Sequence, residues 1–170
     1  LRRMTGENIE LFCAARTEPG VHASCQTVNF KTESSLSPSQ FRLALNQYLP
    51  LDIAVLRAEE VWERFHASLN ILTQTYTYRT KTGAEIDVFR RKYLHHISRP
   101  LDIPAMKKGA ASLVGVHDFR GFSSGKTKKN TKKEVLAADI FSPASDELHI
   151  LLEASSFLFQ MPRLIAGTLA

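Results

Sequence analysis

Cysteine is scarce in this chain, with two residues in 170, Cys13 and Cys25. They do not form a C-x-x-C pair, and no His or Cys partners stand at zinc-ligand spacing around them. A disulfide framework is unnecessary at this length, so both are expected to be reduced, buried thiols. Long apolar runs are also missing. None approaches the roughly 18 residues that a membrane-spanning helix requires. No basic n-region followed by an apolar stretch marks a signal peptide. A start methionine is lacking too, since residue 1 is Leu, and the chain stops within the apolar segment 164–170. The expectation is a fragment of a longer chain.

What is present suits a folded domain. Hydrophobic residues make up 44% of the chain and charged residues 23%, so a core can form and extended disorder is not indicated. The formal net charge is +5, with a pI near 9.4. That balance is compatible with a polyanionic partner such as nucleic acid, and equally with an ordinary basic protein.

The pattern along the chain alternates strands and helices. Residues 9–15 read as a buried strand. Glu18-Pro19-Gly20 is turn chemistry, with proline presetting one backbone angle and glycine taking the positive φ of a type II turn. Residues 21–31 read as a second strand, with Val28 and Phe30 alternating against polar neighbours. Ser37 is positioned to cap a helix with Pro38 at its first position, and Pro50 stops it. Residues 53–61 read as a further strand. Residues 74–80 alternate tyrosines with threonine and charge, which predicts a strand. Residues 102–114 form an amphipathic pattern with Ile103, Met106, Ala110 and Leu113 on one face. Residues 135–141 and 148–154 read as two strands joined by a turn at 142–146, and 157–169 as a final helix. The reading is an α+β (mixed α/β) protein with helices packed against one side of a sheet. A boundary near Asn70 divides it into an N-terminal half, 1–70, and a C-terminal half, 71–170.

Five segments carry chemistry. In the segment 16–23 a carboxylate follows an arginine on a tight turn. Such a carboxylate is kept ionised and can serve as nucleophile or base; the same residues fit a surface turn with an ordinary ion pair. Phe65-His66-Ala67 precedes Tyr76-Thr77-Tyr78. A tyrosine there can stack on a base or exchange a proton, or simply fill a core. His117-Asp118 suggests catalysis or a metal, yet adjacent strand residues point to opposite faces, so a turn with two aromatic anchors is the safer reading. Residues 126–133 hold Lys126, Lys128, Lys129, Lys132 and Lys133, a flexible basic loop suited to phosphates. Arg163 is a lone charge in an apolar helix. Buried arginines need an anionic partner, and Glu18 is the obvious one.

Two decoys fail. Gly121-Phe122-Ser123-Ser124-Gly125-Lys126-Thr127 has three residues between its glycines where a phosphate-binding loop needs four, and lysines follow it rather than an apolar helix. His95-His96 lacks further ligands at metal-site spacing.

In this order the segments resemble the TruA family of tRNA pseudouridine synthases. The family loop R-T-D-x-G-V-H-A is matched by Arg16-Thr17-Glu18-Pro19-Gly20-Val21-His22-Ala23, with glutamate for aspartate. Arg64-Phe65-His66-Ala67 with Tyr76-Thr77-Tyr78 matches R-F-x-A and the Y-x-Y strand. Residues 115–122 match G-x-H-D-F-x-x-F. Residues 157–169 match the helix F-L-x-x-M-V-R-x-I-V-G-x-L, with Pro162 and Ala166 as substitutions. The resemblance implies a pseudouridine synthase fold, with two RRM- or ferredoxin-like halves and a central, mostly antiparallel sheet flanked by helices. It implies a cytoplasmic enzyme that isomerises uridine in the anticodon stem-loop of tRNA without cofactor or metal. The partner is tRNA, no membrane is involved, and the expected assembly is a homodimer. Glu18 falls at the nucleophile position, Tyr76 stacks on the uracil and serves proton transfer, and Arg163 pairs with the carboxylate. Arg16 fills the space vacated by the flipped base. His22, Arg90, Arg91, Lys126, Lys128 and Lys129 are expected RNA contacts. Glutamate carries its charge one methylene further out than aspartate, so a catalytically weakened RNA-binding relative is the second expectation. The family's first strand, with a Y-D-G-T-like motif, and its closing elements are not in the sequence, which predicts an open sheet edge.

Overall fold

The computed structural model describes residues 1–125 and 130–170. The chain divides into two compact units. The first holds Leu1–Arg16 and Ala23–Asn70, and the second holds Thr17–His22 and Ile71–Ala170.

In the first unit, α1 (Arg2–Thr5) leads to β1 (Phe12–Cys13), which pairs antiparallel with β2 (Val28–Asn29). Both strands are much shorter than the segments 9–15 and 21–31 expected for them. Alternation marks a face and not a partner. The ladder here is limited to Phe12↔Asn29 and Cys13↔Val28, with Ala14 N–H donating to Thr27 O just beyond it. The Gln26 side chain then takes over as donor to Ala15 O. Both cysteines are free and exposed, contrary to the expected burial. The helix α2 (Pro38–Tyr48) starts as expected, because Ser37 and Gln40 form a reciprocal capping box and proline opens the first turn. The strand expected at 53–61 does not form. No ladder partner reaches it among the described residues. Instead the Asn46 side-chain amide bonds both backbone groups of Val55, at 2.7 and 3.0 Å. A side-chain amide satisfies one residue's peptide groups and cannot propagate a sheet.

The second unit is built on a five-stranded sheet in the order β4-β3-β7-β6-β5. Its strands are β3 (Gln74–Thr82), β4 (His95–Ile97), β5 (Gly115–Asp118), β6 (Lys132–Ala144) and β7 (Glu147–Ala154). Only the β3–β4 pair is parallel; the other three are antiparallel. The helices α3 (Ile103–Ala111) and α4 (Met161–Leu169) cover one face. Leu148, Ile150, Leu152 and Ala154 of β7 point into that layer with Val135 and Ile140 of β6. They meet Met106 and Ala110 of α3 and Met161, Ile165 and Ala166 of α4. A β-carbon on Gly109 would lie 2.9 Å from a Leu169 methyl, so glycine sets how closely α3 and α4 approach. The expected α+β architecture is present.

Element boundaries differ from expectation: α3 ends at Ala111, and β6 runs to Ala144, into the expected turn. Lys132 and Lys133 belong to β6 rather than to a loop, and Lys133 Nζ donates to Ser156 Oγ at 2.9 Å. Lys126, Lys128 and Lys129 lie outside the described residues. The last helix begins at Met161, not at 157, because Gln160 takes a left-handed conformation (φ 61°). Pro162 then falls in the first turn, where its missing N–H is harmless.

Candidate active site

The segment 17–22, which belongs to the second unit, is organised by its turn. Val21 N–H donates to Glu18 O at 2.9 Å, and Gly20 has φ 79°. These are the closing hydrogen bond and the positive angle of a type II turn, with Pro19 at the first corner. The turn aims the Glu18 side chain at the start of α4.

Two groups there receive it, the Arg163 guanidinium and the backbone N–H of Gln160, the residue that precedes the helix. Arg163 Nε lies 3.2 Å from Glu18 Oε2. An Arg163 terminal nitrogen donates to Pro19 O, so the guanidinium grips both the carboxylate and the turn behind it. Gln160 N–H donates to Glu18 Oε1 at 2.9 Å. The helix dipole adds to this, since a carboxylate at a helix N-terminus is favoured. The two oxygens are not equivalent. Oε1 accepts a directed hydrogen bond. Oε2 is buried, and no donor hydrogen is aligned on it among the described residues. Its contact with Arg163 is one of charge and proximity. The Glu18 side chain is 18% exposed and that of Arg163 33%, so the pair is shielded from bulk water but reachable.

Strand β3 brings tyrosines to the same layer. Tyr76 and Tyr78 share a face with the buried Thr80, opposite Leu152 and Ile150 of β7. Burial raises the Tyr78 phenol above its usual range; neighbouring Tyr76 adds to that, and the Arg163 charge opposes it. Tyr76 and Arg163 thus both act on the Tyr78 hydroxyl, and that phenol stays protonated at physiological pH.

The other expected residues are placed as follows. Arg16 is exposed in the first unit. His22 Nε2 is 3.2 Å from Lys92 O, and its ring centroid is 4.5 Å from that of Tyr93, which ties the end of the loop to the segment before β4. Arg91 is exposed. Arg90 is not a free cation. Its Nε donates to Asp87 at 2.7 Å and a terminal nitrogen donates to Glu147. The Arg90 hydrogen bonds hold both carboxyls below the usual carboxylate range. His117 and Asp118 diverge: His117 Nε2 is 3.0 Å from Val114 O. Asp118 is held low by Thr131 and the Arg120 N–H. Phe119 and Phe122, with ring centroids 6.1 Å apart, anchor that turn.

Sequence reasoning missed Tyr78, the Gln160 amide and Ser124, whose Oγ donates to Gln160 Oε1 at 2.5 Å. The Y-x-Y pattern held the signal for Tyr78, because strand residues two apart share a face. No residue-type signal marked Gln160, since glutamine has no left-handed preference. No group of three or more His, Cys, Asp or Glu side chains is gathered to hold a metal among the described residues. None of the described helices is long and apolar enough to cross a membrane.

Comparison with known proteins assigns the class first. Residues 110–170, which carry β5 to α4, match the family model described as tRNA pseudouridine synthase. Over almost all its length the chain is also similar to curated relatives named tRNA pseudouridine synthase A. It is 40% identical over 164 residues to the one from Halalkalibacterium halodurans, covering 96% of this chain and 62% of the relative. It is 38% identical over 169 residues to that of Brevibacillus brevis, covering 99% and 69%. It is 39% identical over 171 residues to that of Thermoanaerobacter sp. (strain X514), covering 100% and 70%. The chain belongs to the TruA family of tRNA pseudouridine synthases, which are isomerases. It spans between 62% and 70% of the length of these three relatives.

Proposed function

We propose that this chain carries the catalytic core of an enzyme that isomerises uridine to pseudouridine in the anticodon stem-loop of tRNA. One observation carries the reading: the Glu18 carboxylate, on its type II turn, faces the Arg163 guanidinium of an otherwise apolar helix at 3.2 Å. A carboxylate held beside a cation is suited to covalent attack on a sugar carbon. In this reading a carboxylate oxygen of Glu18 bonds C1′ of the flipped nucleotide as the N1–C1′ bond breaks, the electron pair leaving with the uracil. The base rotates, C5 takes C1′ back and the carboxylate is released. The C5 proton goes to solvent and N1 gains one, so atoms balance. Extrusion of the base from the stack precedes the chemistry.

Tyr76 stacks on the uracil and takes part in proton transfer. Arg16 fills the space left by the flipped base. His22, Arg91, Lys126, Lys128 and Lys129 contact the RNA backbone. Arg90 serves the same surface indirectly, by fixing the segment that contains Arg91. The assembled protein is a cytoplasmic homodimer, on the strength of the family resemblance.

A second reading is favoured by the glutamate itself. A carboxylate displaced by about 1 Å can lose on the order of a hundredfold in rate, which would leave a weakened enzyme that still binds tRNA. Tritium at uracil C5 of a tRNA substrate tests the first reading: its release on adding the full-length protein is expected. Tight tRNA binding with release no faster than the blank would overturn it.

A further inference from the structure

Gln160 is a glutamine in the left-handed region, at φ 61° and ψ 8°. Only glycine and, to a lesser degree, asparagine and aspartate visit that region readily. The residue type does not account for the conformation, so the surroundings must hold it. Two contacts do so from opposite ends. The backbone N–H donates to Glu18 Oε1 at 2.9 Å. The side-chain Oε1 accepts from Ser124 Oγ at 2.5 Å. Ser124 follows the 3-10 turn Arg120–Phe122, which Phe119 roots in the core. The left-handed residue is therefore bonded to Ser124 on one side and to the carboxylate on the other.

The effect on the carboxylate is asymmetric. An oxygen that accepts an N–H bond has part of its electron density committed. Oε2 is buried, lacks an aligned donor among the described residues, and is steadied by the Arg163 charge. A glutamate also has one more free torsion than an aspartate, so without a fixed point its carboxylate would swing. The Gln160 amide is that fixed point.

We propose that Gln160, latched by Ser124, is a positioning residue that pins Glu18 Oε1 and so fixes the orientation of the carboxylate. This rests on the isomerase reading above, and it explains how a glutamate is held in place despite its extra methylene. Any backbone that adopts the left-handed conformation unaided can replace the latch. A β-branched residue cannot adopt it without strain.

The test uses the full-length protein and a tRNA substrate labelled at uracil C5. Gln160→Val is expected to lower kcat on the order of a hundredfold with KM nearly unchanged, the signature of lost orientation rather than lost binding. Gln160→Gly and Gln160→Asn are expected to recover most of that loss. Ser124→Ala is expected to lower kcat several-fold, because the amide keeps its bond but loses its support. Wild-type kcat in Gln160→Val, or no recovery in the glycine and asparagine variants, overturns the proposal. A readout independent of turnover is the Gln160 amide resonance. It is expected to move in Glu18→Ala and to exchange faster with solvent in Ser124→Ala. An amide indifferent to both changes also overturns the proposal, including where Gln160→Val does not fold. If the wild-type protein releases no tritium, the isomerase reading fails, while the amide measurement still decides whether Gln160 holds Glu18.

Discussion

Glu18 Oε2 and Arg163 Nε face each other at 3.2 Å, and the same guanidinium reaches back to Pro19 O. One side chain of α4 thus holds both the acid and the turn that presents it. Replacing Arg163 by methionine keeps the stem and removes the charge. The shielded carboxylate then has no countercharge, so tritium release is expected to fall by at least about a hundredfold. Arg163→Lys keeps the charge but cannot grip two acceptors in a planar fork. It is expected to recover only part of the loss. Equal rates in the methionine variant and the wild type would refute the role of the pair.

Residue 18 separates the two functional readings. Glu18→Ala is expected to abolish turnover while leaving tRNA affinity within a few-fold, as measured by filter binding. Glu18→Asp is the informative change. If the site is built around glutamate, the shorter side chain loses the Gln160 amide and kcat falls or stays level. A rise of tenfold or more, about 1.4 kcal/mol of barrier, would instead identify a weakened relative.

Arg90 and Arg91 are neighbours with different expected phenotypes. Arg91 is exposed and free to meet a phosphate. Arg91→Ala is expected to weaken binding of all tRNAs alike and to reduce the salt dependence by roughly one phosphate contact. Arg90 is committed to Asp87 and Glu147. Arg90→Ala removes both pairings and is expected to lower Tm by a few degrees. Thermal melts and salt titrations of the two variants separate these outcomes.

The same cluster sets an acid limit on stability. Arg90 holds the Glu147 carboxyl below its usual range, His149 contributes as well, and burial opposes both. For a carboxylate lowered in the folded state, the pairing stabilises the fold above the unfolded carboxyl's titration. That stability is lost as pH falls through the folded value. Glu147→Gln is therefore expected to melt earlier than wild type at neutral pH and to show less further loss on acidification below about pH 4.5. Parallel acid curves for the two proteins would contradict the assignment.

The layer beneath the site should be unforgiving. Ile165 is fully buried between α4 and the sheet. Ile165→Ala is expected to cost about 2–5 kcal/mol, by lost burial plus the cavity left behind. Chemical denaturation measures it. A cost under about 1 kcal/mol would mean that α4 is not held by this contact.

Much of this was legible in the amino-acid sequence, and the reasons are local. The Ser37 cap, Pro38 and Pro50 bounded α2 because capping and proline geometry act within a few residues. The Glu18-Pro19-Gly20 turn was legible because only certain residues fit its angles. The β6–β7 hairpin and the α3 face followed from periodicity. Even the pairing of Glu18 with Arg163 could be inferred, because a lone cation in an apolar helix needs a nearby anion. What failed was whatever depends on a distant partner. Segments 9–15, 21–31 and 53–61 read as strands, but a strand exists only where another strand supplies its hydrogen bonds. The left-handed Gln160, the exposed cysteines and the pairing of Arg90 with Asp87 and Glu147 were illegible for the same reason. In the second unit, residue type fixed which side chains could do chemistry. Only the tertiary contacts decided which carboxylate oxygen is held by the Gln160 amide and which is left facing Arg163, because those contacts join residues that lie far apart along the chain.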